Sequence, residues 1–186
     1  MSAESEAGVP GALGLLAACL LLLGMSQVGW LLRSWSEAAR QRWTPRLIAL
    51  AVGVLSGDIM LHLVPHGFAH GASGWALAVA ALSGVAAMRL LDGGLRMLDR
   101  KRCGAPLRRS RGRVALGGDA SHNFADGLLL GAAYAVDPLA GLAATLAILA
   151  HELGQELGDT GILLDSGYPL AQAMRLNLLS ALPVLP

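Results

Sequence analysis

Residues 11–32 read GALGLLAACLLLLGMSQVGWLL, a stretch that contains no charged side chain. A helix needs about 20 mostly apolar residues to cross the hydrocarbon core of a bilayer. The sequence therefore predicts an all-α fold, a polytopic integral membrane helical bundle formed by a single domain over residues 1–186. Five later stretches are of similar character. The sequence therefore predicts six transmembrane helices, at 11–32, 46–66, 73–92, 115–135, 139–164 and 169–185.

The composition of the chain also favours a membrane protein over a soluble domain. Hydrophobic residues make up 54% of the 186 residues and charged residues only 15%, whereas soluble domains usually contain about 25% charged residues. No Lys or Arg precedes the first apolar run, and that run continues beyond Cys19. We therefore expect a retained helix at the N-terminus rather than a cleaved signal peptide.

The basic residues are concentrated in two segments of the chain. Four of the 14 Lys and Arg residues lie within 33–46 and nine lie within 89–113. Beside long apolar runs, this clustering indicates membrane topology rather than a nucleic-acid surface. Both segments follow odd-numbered spans, so both fall on one side, which the positive-inside rule makes cytoplasmic. The segment 93–114 is predicted to be a basic cytoplasmic loop, and the N-terminus is predicted to lie outside.

Polar side chains interrupt the fourth and fifth predicted spans. Residues 117–134 read GGDASHNFADGLLLGAAY and residues 149–164 read LAHELGQELGDTGILL. An ionisable residue at the centre of a bilayer costs roughly 2.5–3.5 kcal/mol, so such residues usually have a function or a buried partner. These two spans are too polar to face lipid, and we expect them to pack against each other.

Helical spacing brings several metal ligands onto the facing sides of these two spans. His122 and Asp126 are one turn apart, and Asn123 lies beside them. Imidazole and carboxylate groups without cysteine suit a divalent first-row ion such as zinc. The set is large enough for two adjacent ions, with Asp126 and Gln155 placed to bridge them. The predicted metal ligands are His122, Asn123, Asp126, His151, Glu152 and Gln155.

Further polar residues are predicted to line a path to and from this site. In the second span, a stripe at i, i+4 and i+8 could line an access route for the ion. In the fifth span, Glu156 and Asp159 could either form structural hydrogen bonds or lie at a water-filled exit. Asp119, near the cytoplasmic end of the fourth span, is expected to cap a helix, and His70 is expected to be a loop residue. The stripe in the second span consists of Asp58, His62 and His66.

Two motifs resemble those of a known family of metal transporters. HNFADG at 122–127 is similar to the fourth-helix motif of the Zrt/Irt-like protein (ZIP) family, and HELGQELGD at 151–159 is similar to its fifth-helix motif. Residues 57–66 and 175–182 resemble the second and sixth helices. The resemblance implies transport of zinc or a related divalent ion into the cytosol, through a two-metal centre between helices four and five.

The resemblance also implies a ligand set for each ion. One ion would be held by His122, Asp126 and Gln155. The second ion would be held by Asn123, Asp126, His151, Glu152 and Gln155. The chain departs from the family pattern at Gln155, where the family often has His, and at Gly154, where it usually has Pro. The family has eight helices, so the six predicted here imply that the last two are lacking.

The sequence therefore predicts a transporter of Zn²⁺, with Fe²⁺, Mn²⁺ and Cd²⁺ as other candidate ions, and no prosthetic group. The protein is not expected to be an enzyme, and no residue is predicted to be catalytic. Two alternatives stay open: a truncated relative that binds metal without transporting it, and an intramembrane zinc hydrolase. The expected partners are the divalent ion and the lipid bilayer, with a homodimer as an option and no nucleic acid. The plasma membrane or a bacterial inner membrane is the expected location.

Overall fold

The computed structural model describes residues 3–101 and 108–185, and this part of the chain is helical with no strand. Its all-α architecture confirms the predicted fold class. Short 3-10 helices follow the first and last helices, and a π turn links α2 to α3. In chain order the elements are α1 (Ala3–Met25), a 3-10 helix (Val28–Ser34), α2 (Glu37–Asp58), a π turn (Ile59–Leu63), α3 (Val64–Ala69), α4 (Gly74–Lys101), α5 (Arg108–Val136), α6 (Pro138–Asp165), α7 (Leu170–Ala181) and a 3-10 helix (Leu182–Val184).

Three segments of the described chain are long and apolar enough to cross a membrane. They are Gly11–Ser34, Glu37–Ala69 and Gly74–Met97. In the third segment, no residue of the most apolar stretch is buried within the protein. α4 therefore presents apolar side chains outward, as a lipid-facing helix does. These findings agree with a multi-pass membrane protein. That α5, α6 and α7 also cross the membrane stays a prediction.

The helices differ from the predicted spans at several boundaries. The first apolar run is not one continuous helix, because α1 ends at Met25 and a 3-10 helix follows. The segment 93–114 was predicted to be a loop, but its described residues are helical: α4 continues to Lys101 and α5 begins at Arg108. Residues 102–107 lie outside the described residues. The polar composition of 93–114 indicated a loop, but Arg, Leu and Met are good helix formers, and they extend α4 and α5 into this segment.

A π turn interrupts the second predicted span just before Pro65. The Val64 N–H donates to the carbonyl of Ile59, five residues earlier, rather than to the residue four back. Proline has no N–H and disturbs the regular hydrogen-bond pattern of the preceding turn. The helix accommodates Pro65 by locally widening this turn, and α3 follows the π turn without a break.

α6 is the central helix of the bundle. α2 and α5 pack against it most extensively, and α1 and α7 add smaller contacts. Its contact with α2 is close because glycines face α2: a Cβ at Gly158 would overlap the Cβ of Ala51, and one at Gly154 would lie 2.8 Å from Val54. Backbones approach this closely in membrane proteins through small residues. α6 is therefore held on one side by α2 while another side faces α5.

Candidate metal centre

α5 and α6 carry the ligating side chains in their middle turns. On α5, His122 precedes Asp126 by one turn, and the two side chains share a face. The Nε2 atom of His122 lies 3.5 Å from Oδ2 of Asp126. α6 begins after Asp137, whose carboxylate accepts from the backbone N–H groups of Leu139 and Ala140. This cap fixes where α6 starts, and its following turns bring His151 and Glu152 opposite α5.

The side chains of the two helices converge on one point. The Nε2 atom of His122 lies 3.3 Å from Nε2 of His151 and 3.3 Å from Oε1 of Glu152. The Nε2 atom of His151 lies 3.7 Å from Oδ2 of Asp126. One donor atom from each of these four residues lies within 4.8 Å of the other three. The sequence-based expectation that both imidazoles face a common centre is consistent with this geometry.

The spacing of these donor atoms is suitable for one four-coordinate ion. Zinc binds nitrogen and oxygen ligands at about 2.0–2.2 Å in a tetrahedron, whose edges are then about 3.3–3.6 Å long. Three of the four measured separations, 3.3, 3.3 and 3.5 Å, lie in this range, and the fourth is 3.7 Å. The buried oxygens Asp126 Oδ2 and Glu152 Oε1 have no hydrogen-bond partner among the described residues. Unpaired buried oxygens of this kind are costly unless a cation or a donor satisfies them.

The geometry gathers His122 and His151 around the same point. The resemblance to the ZIP family had assigned these two histidines to different ions. The structure therefore groups two imidazoles with two carboxylates. The division of ligands between two ions stays a prediction.

The two predicted amide ligands share a partner that the sequence did not identify. The amide nitrogens of Asn123 and Gln155 lie 3.0 and 3.2 Å from Oδ1 of Asp119. Asp119 was expected to cap a helix, but it lies inside α5 and is only 4% exposed. The expectation was wrong because α5 begins at Arg108, three turns before Asp119. Its spacing of one turn from Asn123 was the signal available in the sequence.

The residues predicted to line a path occupy different environments. Glu156 is fully buried, and its Oε2 accepts a hydrogen bond of 3.0 Å from the side-chain amide of Asn177 on α7. Asp58 and Asp159 are half-buried. His66 is exposed, and its ring lies against the ring of His70, tilted by 38°, with the centroids 4.1 Å apart. The side chain of His62 lies outside the described residues, and its backbone belongs to the π turn.

The apolar spans and the converging group of two partly exposed imidazoles and two buried carboxylates are features of a helical membrane protein with a group that could hold a metal ion. Residues 106–185 match the family model described as "ZIP Zinc transporter". This part of the chain, less than half of its length, is similar to the ZIP family, in agreement with the resemblance of its motifs. This family consists of transporters rather than enzymes, in agreement with the expectation that the chain is not an enzyme.

Curated relatives match over part of the chain. Human "Zinc transporter ZIP4" is 57% identical over 65 residues, which are 35% of this chain and 10% of that protein. Dog "Zinc transporter SLC39A7" is 42% identical over 99 residues, which are 52% of this chain and 21% of that protein. "IAA-alanine resistance protein 1" of Arabidopsis thaliana is 45% identical over 75 residues, 40% of this chain and 16% of that protein. The chain thus spans a small part of the length of these relatives. No solved structure matches.

Proposed function

We propose that the chain binds zinc between α5 and α6 and carries it across the membrane toward the cytosol. The observation that carries this proposal is the convergence of His122, Asp126, His151 and Glu152 from two helices. The relatives that match are named as zinc transporters in humans and dogs. This family context favours transport over the alternative of an intramembrane hydrolase.

The ligand set suits an ion that binds and then leaves. Imidazole and carboxylate ligands hold zinc without the closed cage of thiolates that is typical of structural sites. The two carboxylates are buried, whereas 28% of the His122 side chain and 19% of the His151 side chain are accessible. The imidazoles can therefore meet an arriving ion before the carboxylates do. A transported ion needs binding strong enough to enter and weak enough to leave.

We propose a second ion beside the first, which makes the centre a two-metal site. Asn123 and Gln155 would bind it with their amide oxygens, and Asp126 would bridge the two ions. The unpaired, buried Oε1 atom of Gln155 supports this assignment. Metal content of the purified protein, measured by mass spectrometry, distinguishes one bound ion from two.

The proposed path connects this centre to both sides of the membrane. Asp58, His62 and His66 would line the outer side, and Glu156 and Asp159 the cytoplasmic side. The proposed topology places the N-terminus outside, in a plasma membrane or a bacterial inner membrane. A homodimer is an assembly that light scattering of the purified protein would reveal.

Transport by the purified chain in proteoliposomes tests this function. A zinc-sensitive dye inside the vesicles should report zinc entry with the wild-type chain, and entry should be lost with Asp126→Ala. His70→Ala is the matched control, because this exposed histidine is not one of the four converging residues. Zinc binding without entry would support the alternative of a relative that binds metal without transporting it. Zinc-dependent hydrolysis of a lipid or peptide would support the hydrolase alternative.

A further inference from the structure

Asp119 is a buried carboxylate on α5 that binds the side-chain amides of two predicted metal ligands at once. Its Oδ1 accepts from the side-chain nitrogen of Asn123 at 3.0 Å and from that of Gln155 at 3.2 Å. Asp119 and Asn123 lie one turn apart on α5, whereas Gln155 belongs to α6. Asp119 is 4% exposed, so water does not compete freely for these bonds.

The chemistry of the groups fixes which end of each amide faces Asp119. An ionised carboxylate only accepts hydrogen bonds, and a side-chain amide has one donating end and one accepting end. Both NH₂ groups must therefore face Asp119, and both carbonyl oxygens are held away from it. In Gln155 the Oε1 atom is buried and has no hydrogen-bond partner within the part of the chain that the structure describes. An unpaired buried acceptor in this position is available to a cation.

We propose that Asp119 is a positioning residue, which fixes the oxygen ends of Asn123 and Gln155 toward a bound ion. The inference rests on the proposed function, since it assumes that the ion binds between α5 and α6. An amide has nearly the same shape after a half turn about its last bond, so by itself it could present its NH₂ end to the cation. A carboxylate behind the amide prevents this turn. Groups behind the direct ligands of metal sites orient those ligands in this way.

The substitution Asp119→Ala tests this role because it removes the oxygen that both amides share. Without this acceptor, the Gln155 amide is free to turn and direct its NH₂ group at the ion. We expect zinc affinity, measured by calorimetry, to fall by about 10–100-fold.

A second substitution should repair the defect. In the double variant Asp119→Ala with Gln155→Glu, either oxygen of the new carboxylate can face the ion, so the side chain needs no partner at position 119 to orient it. Most of the lost zinc affinity should return. Asp119→Ala with Gln155→Ala should not recover, because no ligand oxygen replaces the one that was lost. Thr145→Val is the matched control for loss of a buried polar group, since Thr145 bonds to Tyr134 outside the centre.

Infrared difference spectroscopy separates orientation from simple loss of charge. With glutamine labelled at the side-chain carbonyl, zinc binding should shift the carbonyl stretch of Gln155 in the wild type but not in Asp119→Ala. Unchanged zinc affinity in Asp119→Ala would overturn the inference. So would a lower affinity with the carbonyl shift retained, because Asp119 would then act through its charge alone. If the wild-type chain binds no zinc, the proposed function fails, which is a separate outcome.

Discussion

The Nε2 atoms of His122 and His151 lie 3.3 Å apart, although 29 residues separate them along the chain. Two protonated imidazoles at this distance would repel each other, whereas two neutral rings can both direct a lone pair at one cation. The buried carboxylates Asp126 and Glu152 approach the same point from the same two helices. The proposed ion, shared by the two helices, would bring both rings to this position.

Removing either imidazole should have nearly the same effect as removing both. We expect His122→Ala and His151→Ala each to lower zinc affinity by more than the roughly 10–100-fold that is typical of groups behind the direct ligands. The double variant should be only slightly weaker than either single variant, because a centre that has lost one of four ligands no longer holds the ion well. Calorimetric zinc titration measures all three. Fully additive losses would show that the two rings do not bind a common ion.

Zinc binding should weaken in acid. Histidine and carboxylate ligands bind metal only when deprotonated, so protons compete with the ion. Lowering the pH from about 7.5 to about 5.5, across the range in which imidazole ordinarily titrates, should reduce zinc affinity and release the bound ion. Zinc titrations at constant ionic strength check this. An affinity that does not change over this interval would argue against imidazole ligands.

The contact between α6 and α2 should not tolerate a methyl group at Gly158. A Cβ at this position overlaps Ala51, so Gly158→Ala should destabilise the protein by about 1–3 kcal/mol through overpacking. Gly131→Ala is the matched control, because no atom lies within 4 Å of a Cβ built there. In that open helical position alanine should be neutral or stabilising. Thermal unfolding in detergent compares the two variants, and equal stability would contradict the close contact.

The cap at the start of α6 should contribute to stability. Asp137 accepts hydrogen bonds of 3.1 Å from the N–H groups of Leu139 and Ala140, so Asp137→Ala should cost about 1 kcal/mol. Asp137→Asn keeps a good capping oxygen and should retain most of the stability. The melting temperatures of the two variants test the difference. The cap has no role in stability if Asp137→Ala melts like the wild type.

The two native cysteines allow a test of the membrane topology. Cys103 lies in the basic segment predicted to be cytoplasmic, whereas Cys19 is buried and its thiol donates to the carbonyl of Val184. A membrane-impermeant thiol reagent should label Cys103 only after the cells are opened. In a Cys103→Ala background, a cysteine introduced by Ala69→Cys, at the exposed end of α3, should react in intact cells. Labelling of Cys103 in intact cells would reverse the proposed topology.

The candidate site was largely predictable because its spacing is local. His122 and Asp126 share a face at any helical register, and so do His151 and Gln155, so the sequence alone indicated which groups could meet. The role of Asp119 was not predictable in this way. It depends on a hydrogen bond to Gln155, 36 residues away, and so on how the two helices are rotated against each other.

The fold was predictable in class but not in its details. Long apolar runs indicate the approximate positions of the helices, because a helix satisfies its own backbone hydrogen bonds in lipid. The π turn before Pro65 and the end of α1 at Met25 depend on local hydrogen bonding that hydropathy does not record. The extension of α4 to Lys101 likewise follows from helix propensity, which polar composition concealed.

The glycines of α6 that face α2 have a consequence for how the affinity of the protein can change. No side chain at Gly158 separates the two helices, so a single carbon added there would overlap Ala51 and require the helices to move apart. α6 also carries His151 and Glu152, on another side of the helix. A methyl group that never touches the proposed ion would thus move two of its four proposed ligands. The metal preference of such a protein could therefore be changed by substitutions at the contact between α6 and α2, away from the metal.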